Sequence, residues 1–182
     1  MSTVIKSGQP KTFSPTSDEY RRLRATLGKL GPPLNVLVSG SGRVDLGLPM
    51  FASGEVPALI VTTTAGAMRL RKQRAPDSVE IRAVRSAGTI RAGSIIEQVC
   101  KVSAGKLILV EGGPRLLSHF FAAHVLDEQF LTLSPRIAGR DVGGQRLSLV
   151  MGRTFAPRSP LWGTLIDLRR GSNHLFLRYS FA

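Results

Sequence analysis

The stretch KLILVEGGPRLLSHFFAAHVLDEQFLTLSP, Lys106 to Pro135, constrains the fold more than any other part of the chain. It reads without interruption as a strand, a glycine turn, a helix and a second strand. Leu107, Ile108, Leu109 and Val110 form a continuous apolar run, as expected for a strand buried on both faces of a largely parallel sheet. Glu111 ends the run. Gly112 and Gly113 permit a tight turn, and Pro114 suits the first position of a helix, where its missing N–H is not needed. Leu116, Leu117, Phe120, Phe121 and Val125 recur at helical spacing and predict an apolar stripe on a helix that Asp127 and Glu128 close. Phe130, Leu131 and Leu133 resume an extended pattern that stops at Pro135.

A glycine turn between a buried strand and a helix exposes main-chain N–H groups at the positive end of the helix dipole, which suits a phosphate. An isolated Gly-Gly-Pro is equally an ordinary turn, and the residues alone leave both readings open. The turn is neither a Gly-x-Gly-x-x-Gly fingerprint nor a phosphate loop ending in Gly-Lys-Ser/Thr.

The rest of the chain repeats the alternation of strand and helix. Ser17 is placed as the N-cap of a short helix with Asp18 and Glu19 in its first turn, ended by Gly28 and Gly31-Pro32-Pro33. Asn35 to Ser39 reads as a buried strand and is followed by the loop GSGRVDLGLP. In nucleotide-binding α/β sheets ligands sit at the carboxyl ends of strands, where this loop lies. Ser39, Ser41 and Arg43 offer two hydroxyls and a guanidinium, the chemistry that recognises a 2′-phosphate, although an ordinary Ser/Gly loop has the same composition.

Ala58 to Thr63 is the next apolar strand, and Thr64 is placed as the cap of a basic helix over 65–74. Ser78 to Val84 predicts a strand with Val79, Ile81 and Ala83 on one face, and Ile95 to Val102 a helix stopped by Gly105. Residues 136–158 read as loop. Two runs, Leu161 to Leu168 and Asn173 to Phe181, then predict a hairpin with Gly171 in its turn, with Leu175, Leu177 and Tyr179 sharing one face. The order predicts a mainly parallel sheet with helices on both sides and a C-terminal antiparallel pair.

The 182 residues, 42% of them hydrophobic, suffice for one core. The expected organisation is a flexible segment over 1–16 and a single domain over 17–182. With no long apolar run and no basic-then-apolar leader, neither a membrane span nor a secretory signal is expected. Cys100 is the only cysteine and has no internal disulfide partner, so a reducing cytoplasm is the expected compartment.

The formal net charge of +13 is what a nucleic-acid binder would show. Most of the arginines are scattered. Arg69, Arg71, Lys72 and Arg74 alone form a dense run, read as the solvated face of a short helix, and no nucleic-acid motif or stacking aromatic series accompanies them. His119 and His124 lie five apart, off a common helical face and without a zincin carboxylate, so no metal is expected; no Gly-x-Ser-x-Gly elbow exists either.

Glu111, Gly112, Gly113, Pro114, Leu117, Asp127, Glu128, Pro135 and Gly139 together carry a resemblance. The pattern is similar to the reductase domain of the riboflavin-biosynthesis pyrimidine reductases, which share the fold of dihydrofolate reductase. The resemblance implies a dihydrofolate-reductase-like α/β fold and hydride transfer from NADPH to the ribosyl carbon of a pyrimidine ribosylamine phosphate. It further implies that Glu111 faces the substrate and that Gly112 to His119 cradle the cofactor phosphates and nicotinamide side. The implied cofactor set is Ser39, Ser41, Arg43, Thr62, Thr63, Gly112, Gly113, Pro114, Arg115 and Leu116. A homodimer built on the C-terminal antiparallel pair is also implied.

The family's first strand, with its Ser/Asn-Leu-Asp-Gly motif, and the helix after it have no counterpart here. Met1-Ser2-Thr3-Val4 is similar to the end of the next family loop, so the chain is expected to enter the fold part-way, as an N-terminally shortened domain. Two other functions follow from the same residues: a non-catalytic dimeric NADP-binding or interaction protein on this fold, and a basic nucleic-acid binder.

Overall fold

The computed structural model describes residues 18–86, 88–105, 107–137, 139 and 148–181. The segment 1–16 and the Ser17 cap lie outside them. Two compact units, Met1–Gly112 and Gly113–Ala182, are taken in turn.

The first unit is a parallel sheet with helices. Its elements are α1 (Asp18–Thr26), β1 (Asn35–Ser39), α2 (Pro49–Ala52), β2 (Ala58–Thr63), α3 (Thr64–Leu70), β3 (Val79–Val84) and α4 (Ala92–Val102). The strands pair in the order β1-β2-β3, all parallel, so β2 is central. A central parallel strand is covered on both faces, and every residue of the run ALIVTT is buried.

Register places Leu37, Ile60 and Ile81 side by side across the sheet, with Ala58 and Val79 beside them. On this face they form one apolar cluster with Leu46, Met50 and Phe51 from the β1–β2 connection and Leu70 from α3. Burying a side chain the size of Ile60 contributes about 1.5–3 kcal/mol. Helix α4 packs against β2, and its Ala92, Ile95 and Val99 are buried outside that cluster. Asn35, at the start of β1, is fully buried with neither side-chain polar atom hydrogen-bonded.

The second unit holds α5 (Pro114–Ala122), β4 (Glu128–Leu133), β5 (Thr164–Gly171) and β6 (His174–Ser180). Its strands form an antiparallel sheet in the order β4-β6-β5, with an irregularity between Leu165 and Asp167. Phe120 and Phe121 of α5 are buried, and the Phe121 ring meets Phe181 edge-on at 5.4 Å between centroids. Glu128 and Arg178 join β4 to β6 by two hydrogen bonds, Nε to Oε2 at 2.8 Å and Nη2 to Oε1 at 2.5 Å. The Arg178 hydrogen bond holds the Glu128 carboxyl below its ordinary value, and the same bond raises Arg178. The Arg178 guanidinium also lies 5.5 Å from the Phe130 ring centroid.

Several expectations are corrected. The run Leu107–Val110 belongs to neither sheet, and Leu107 is 77% exposed. An apolar run supplies hydrophobicity, but a strand exists only with a neighbour to share its ladder. Helix α5 stops at Ala122, because His124 adopts a left-handed φ of 50°, and Val125, Asp127 and Glu128 lie beyond it.

The cap of α3 is Thr63 rather than Thr64, and the helix ends at Leu70, short of 74. Ala83 is exposed instead of sharing a covered face with Val79. A short helix, α2, interrupts the loop expected after β1, with Pro49 in its first turn. Gly171 is the last residue of β5, and the hairpin turns at Ser172, whose φ is 52°.

Candidate functional site

Parallel pairing aligns Ser39 with Thr62 and Thr63 with Val84, so the carboxyl ends of all three strands of the first sheet fall on one side. Three connections leave from that side: the loop from Gly40, the start of α3, and the segment after Val84. Thr62 donates through Oγ1 to the Ser39 carbonyl at 2.6 Å, and Thr63 to the Gly40 carbonyl at 2.8 Å. Both threonines are buried. Thr63 Oγ1 also accepts from the Gly66 N–H at 3.1 Å, so one hydroxyl caps α3 and holds the loop. Gly42 N–H closes the turn onto the Ser39 carbonyl at 3.2 Å.

Glycine is required at the contact between loop and helix. Gly42 has a φ of +62°, and a Cβ there would overlap the Gly66 backbone; a Cβ on Gly66 would overlap the Thr62 hydroxyl. A Cβ on Gly40 would overlap the Gly88 carbonyl, so the segment after β3 presses on the same loop. The backbones of three connections therefore meet with almost no side chain between them.

What faces outward is polar and cationic. Ser41 and Arg43 are exposed, and Ser41 Oγ accepts from the Arg43 N–H at 3.3 Å. Arg69 of α3 donates through Nη1 to the Ser41 carbonyl. None of the ion pairs found among the described residues includes Arg43, Arg69, Arg71, Lys72 or Arg74. Arginines with no ion pair among the described residues, carried on and against a locked loop, suit an anion.

Of the residues that sequence reasoning selected, this end of the sheet brings together Ser39, Ser41, Arg43, Thr62 and Thr63. Glu111 and Gly112 lie on the chain leading out of the first unit, Glu111 exposed. Gly113 is the N-cap of α5 with φ −66° and ψ 167°, and Pro114 opens the helix. No side chain caps this end, so the N–H groups of Arg115 and Leu116 have no partner within the helix. A Cβ on Gly113 would meet no heavy atom within 4 Å.

Sequence reasoning missed Gly66 and Arg69. The pattern Thr62-Thr63-x-x-Gly66 at the end of a buried strand was the available signal for the first; nothing local marked the second, whose partner is 28 residues away. Among the described residues no three His, Cys, Asp or Glu side chains group as metal ligands. No helix there is long and apolar enough to cross a membrane.

The model of the RibD C-terminal domain family matches residues 3–153. The chain belongs to this family. Its fold is accordingly the dihydrofolate-reductase-like α/β fold, with parallel strands, flanking helices and a C-terminal antiparallel hairpin.

Solved structures of RibD-like proteins are similar in fold. A pyrimidine reductase-like protein of Corynebacterium diphtheriae is 22% identical, with a TM-score of 0.68 over 90% of this chain and 67% of its own. A deaminase/reductase of Thermotoga maritima, described as a 5-amino-6-(5-phosphoribosylamino)uracil reductase, is 18% identical, with a TM-score of 0.59 over 82% of this chain. This chain spans only 38% of that bifunctional protein. The riboflavin biosynthesis reductase Rib7 of Saccharomyces cerevisiae is 14% identical, with a TM-score of 0.58 over 82% of this chain and 65% of its own. No curated protein matches the chain.

Proposed function

We propose that this chain is an NADPH-dependent reductase of the riboflavin-biosynthesis type, acting on a ribosylamino-pyrimidine phosphate or a related small molecule. The observation that carries the reading is the locked loop at the carboxyl ends of β1 and β2, with the exposed Ser41, Arg43 and Arg69 and, among the described residues, no carboxylate paired to either arginine. Ligands of open α/β sheets bind at such strand ends.

Ser39, Ser41 and Arg43 receive the adenosine-phosphate end of the cofactor, and Thr62 and Thr63 act through the loop that their hydroxyls hold. Separately, at the start of the second unit, the N–H groups of Arg115 and Leu116 have no partner within α5, which suits a phosphate at the segment Gly112 to Leu116. Glu111 is assigned to the substrate. When bound, NADPH supplies the hydride; the chain supplies position and charge. A cytoplasmic location belongs to the same proposal.

Calorimetric titration of the full chain with NADPH tests the binding half. Saturable binding is expected, and its absence at millimolar cofactor rejects the reading. Loss of NADPH absorbance on adding a ribosylamino-pyrimidine phosphate tests turnover.

A second reading, a non-catalytic dimeric NADP-binding or interaction protein, is favoured by one observation. Leu133, Leu165, Leu168 and Leu175 of the antiparallel sheet are each at least 40% exposed. NADPH binding without turnover, together with dimer mass in sedimentation, would select it.

A further inference from the structure

We propose that Arg69 is a specificity-determining residue that makes the β1 loop select a dinucleotide carrying a 2′-phosphate over one with a free 2′-hydroxyl. The proposal rests on the cofactor reading above.

Arg69 lies on α3 but binds the loop, donating through Nη1 to the carbonyl of Ser41. That peptide is already fixed on both sides. Before it, the Ser39 and Gly40 carbonyls accept the Thr62 and Thr63 hydroxyls. After it, Gly42 is held against Gly66 with no room for a side chain. The Ser41 carbonyl therefore gives the guanidinium a rigid anchor on the loop that carries the exposed Ser41 and Arg43.

A guanidinium has five N–H donors in a planar fork, and the one bond to Ser41 leaves the others for a second acceptor. No carboxylate pairs with Arg69 or Arg43 among the described residues. The nearby Asp45 accepts the Gly47 N–H at 2.9 Å. A terminal phosphate, with three acceptor oxygens and nearly two negative charges, fits two such arginines and a hydroxyl; a neutral 2′-hydroxyl gains almost nothing from them. Because a carbonyl orients Arg69, it arrives preorganised, whereas among the described residues the Arg43 side chain has no such bond. Arg69 is therefore expected to contribute the larger share of the selection.

The test is calorimetric titration of the full chain, and of the Arg69→Gln and Arg69→Lys variants, with NADPH, NADH and adenosine 2′-monophosphate. Urea unfolding confirms that each variant is folded. The unsubstituted chain is expected to prefer NADPH over NADH and to bind adenosine 2′-monophosphate. Arg69→Gln is expected to weaken NADPH by about tenfold to a hundredfold, the range of one charge-assisted hydrogen bond, with NADH nearly unchanged. Arg69→Lys, which keeps the charge and loses the fork, is expected to fall between; it carries the test if Arg69→Gln does not fold.

If the unsubstituted chain binds neither dinucleotide, the cofactor reading itself fails. If it binds both equally, or if Arg69→Gln weakens both equally, the cofactor reading stands and the role of Arg69 is overturned. Salt-sensitive retention of RNA or DNA that Arg69→Gln abolishes, with no nucleotide preference, would also overturn it in favour of a nucleic-acid surface.

Discussion

Both sheets of this protein carry large apolar residues on their strands and use them in opposite ways. In the parallel sheet the apolar residues are inside: Leu59, Ile60 and Val61 are fully buried. In the antiparallel sheet no strand residue is buried, and Phe130, Leu165, Leu168 and Phe176 are largely exposed. A parallel sheet returns through crossover segments that cover its faces, whereas β5 returns to β6 through a tight turn that covers nothing. The first sheet therefore makes a core and leaves its strand ends for chemistry. The second makes a surface.

The largest expected effect contrasts the two directly. Ile60→Ala should lower the unfolding free energy by about 2–5 kcal/mol, and Leu168→Ala should change it by no more than about 0.5 kcal/mol, both read by urea denaturation. An equal cost at Leu168 would show that a partner covers the antiparallel sheet in solution.

The glycines sharpen the contrast next. Gly66→Ala forces a methyl into the Thr62 hydroxyl and the Gly42 backbone, so a loss of about 1–3 kcal/mol is expected, with weaker NADPH binding. Gly113→Ala meets no described heavy atom at an ordinary φ, and the poorer N-cap offsets the stiffer chain, so stability should change by no more than about 0.5 kcal/mol. A destabilised Gly113→Ala would mean that the turn is packed against something.

Asn35→Leu replaces a buried amide without partners by an apolar side chain of similar size. A gain of about 1 kcal/mol is expected in thermal or urea unfolding, and a loss would reveal a hydrogen-bond partner for the amide in solution.

The smallest effect concerns the half-exposed Glu128–Arg178 pair. The folded carboxyl lies below its ordinary value of 4.5, so its contribution is present above that pH and is lost as the pH falls through the lowered value. Glu128→Gln should flatten the acid side of the stability profile; an unchanged profile would remove the pair from the account.

Strands β1 and β2 were legible to the residue because their apolar runs are bounded by glycine, proline or a capping threonine. The position of Ser39, Ser41 and Arg43 at the carboxyl end of β1 was legible because the bounds of that strand were. Less legible were features that depend on distant contacts. Leu107–Val110 has the composition of a buried strand and lies outside both sheets. Thr62 and Thr63 were expected in the cofactor set, and their hydroxyls donate to the loop carbonyls they hold. Arg69 looked like one charge in a solvated run, though Ser41 gives it a fixed position.

The sequence by itself determined the alternation of elements, the family and the end of the sheet to search, because apolar period, glycine and proline act locally on the backbone. Tertiary structure decided which arginine is held in place, which threonines face inward, and which apolar strands are covered. Those outcomes depend on hydrogen-bond partners and packing surfaces supplied by residues far away in the chain, which no local pattern encodes.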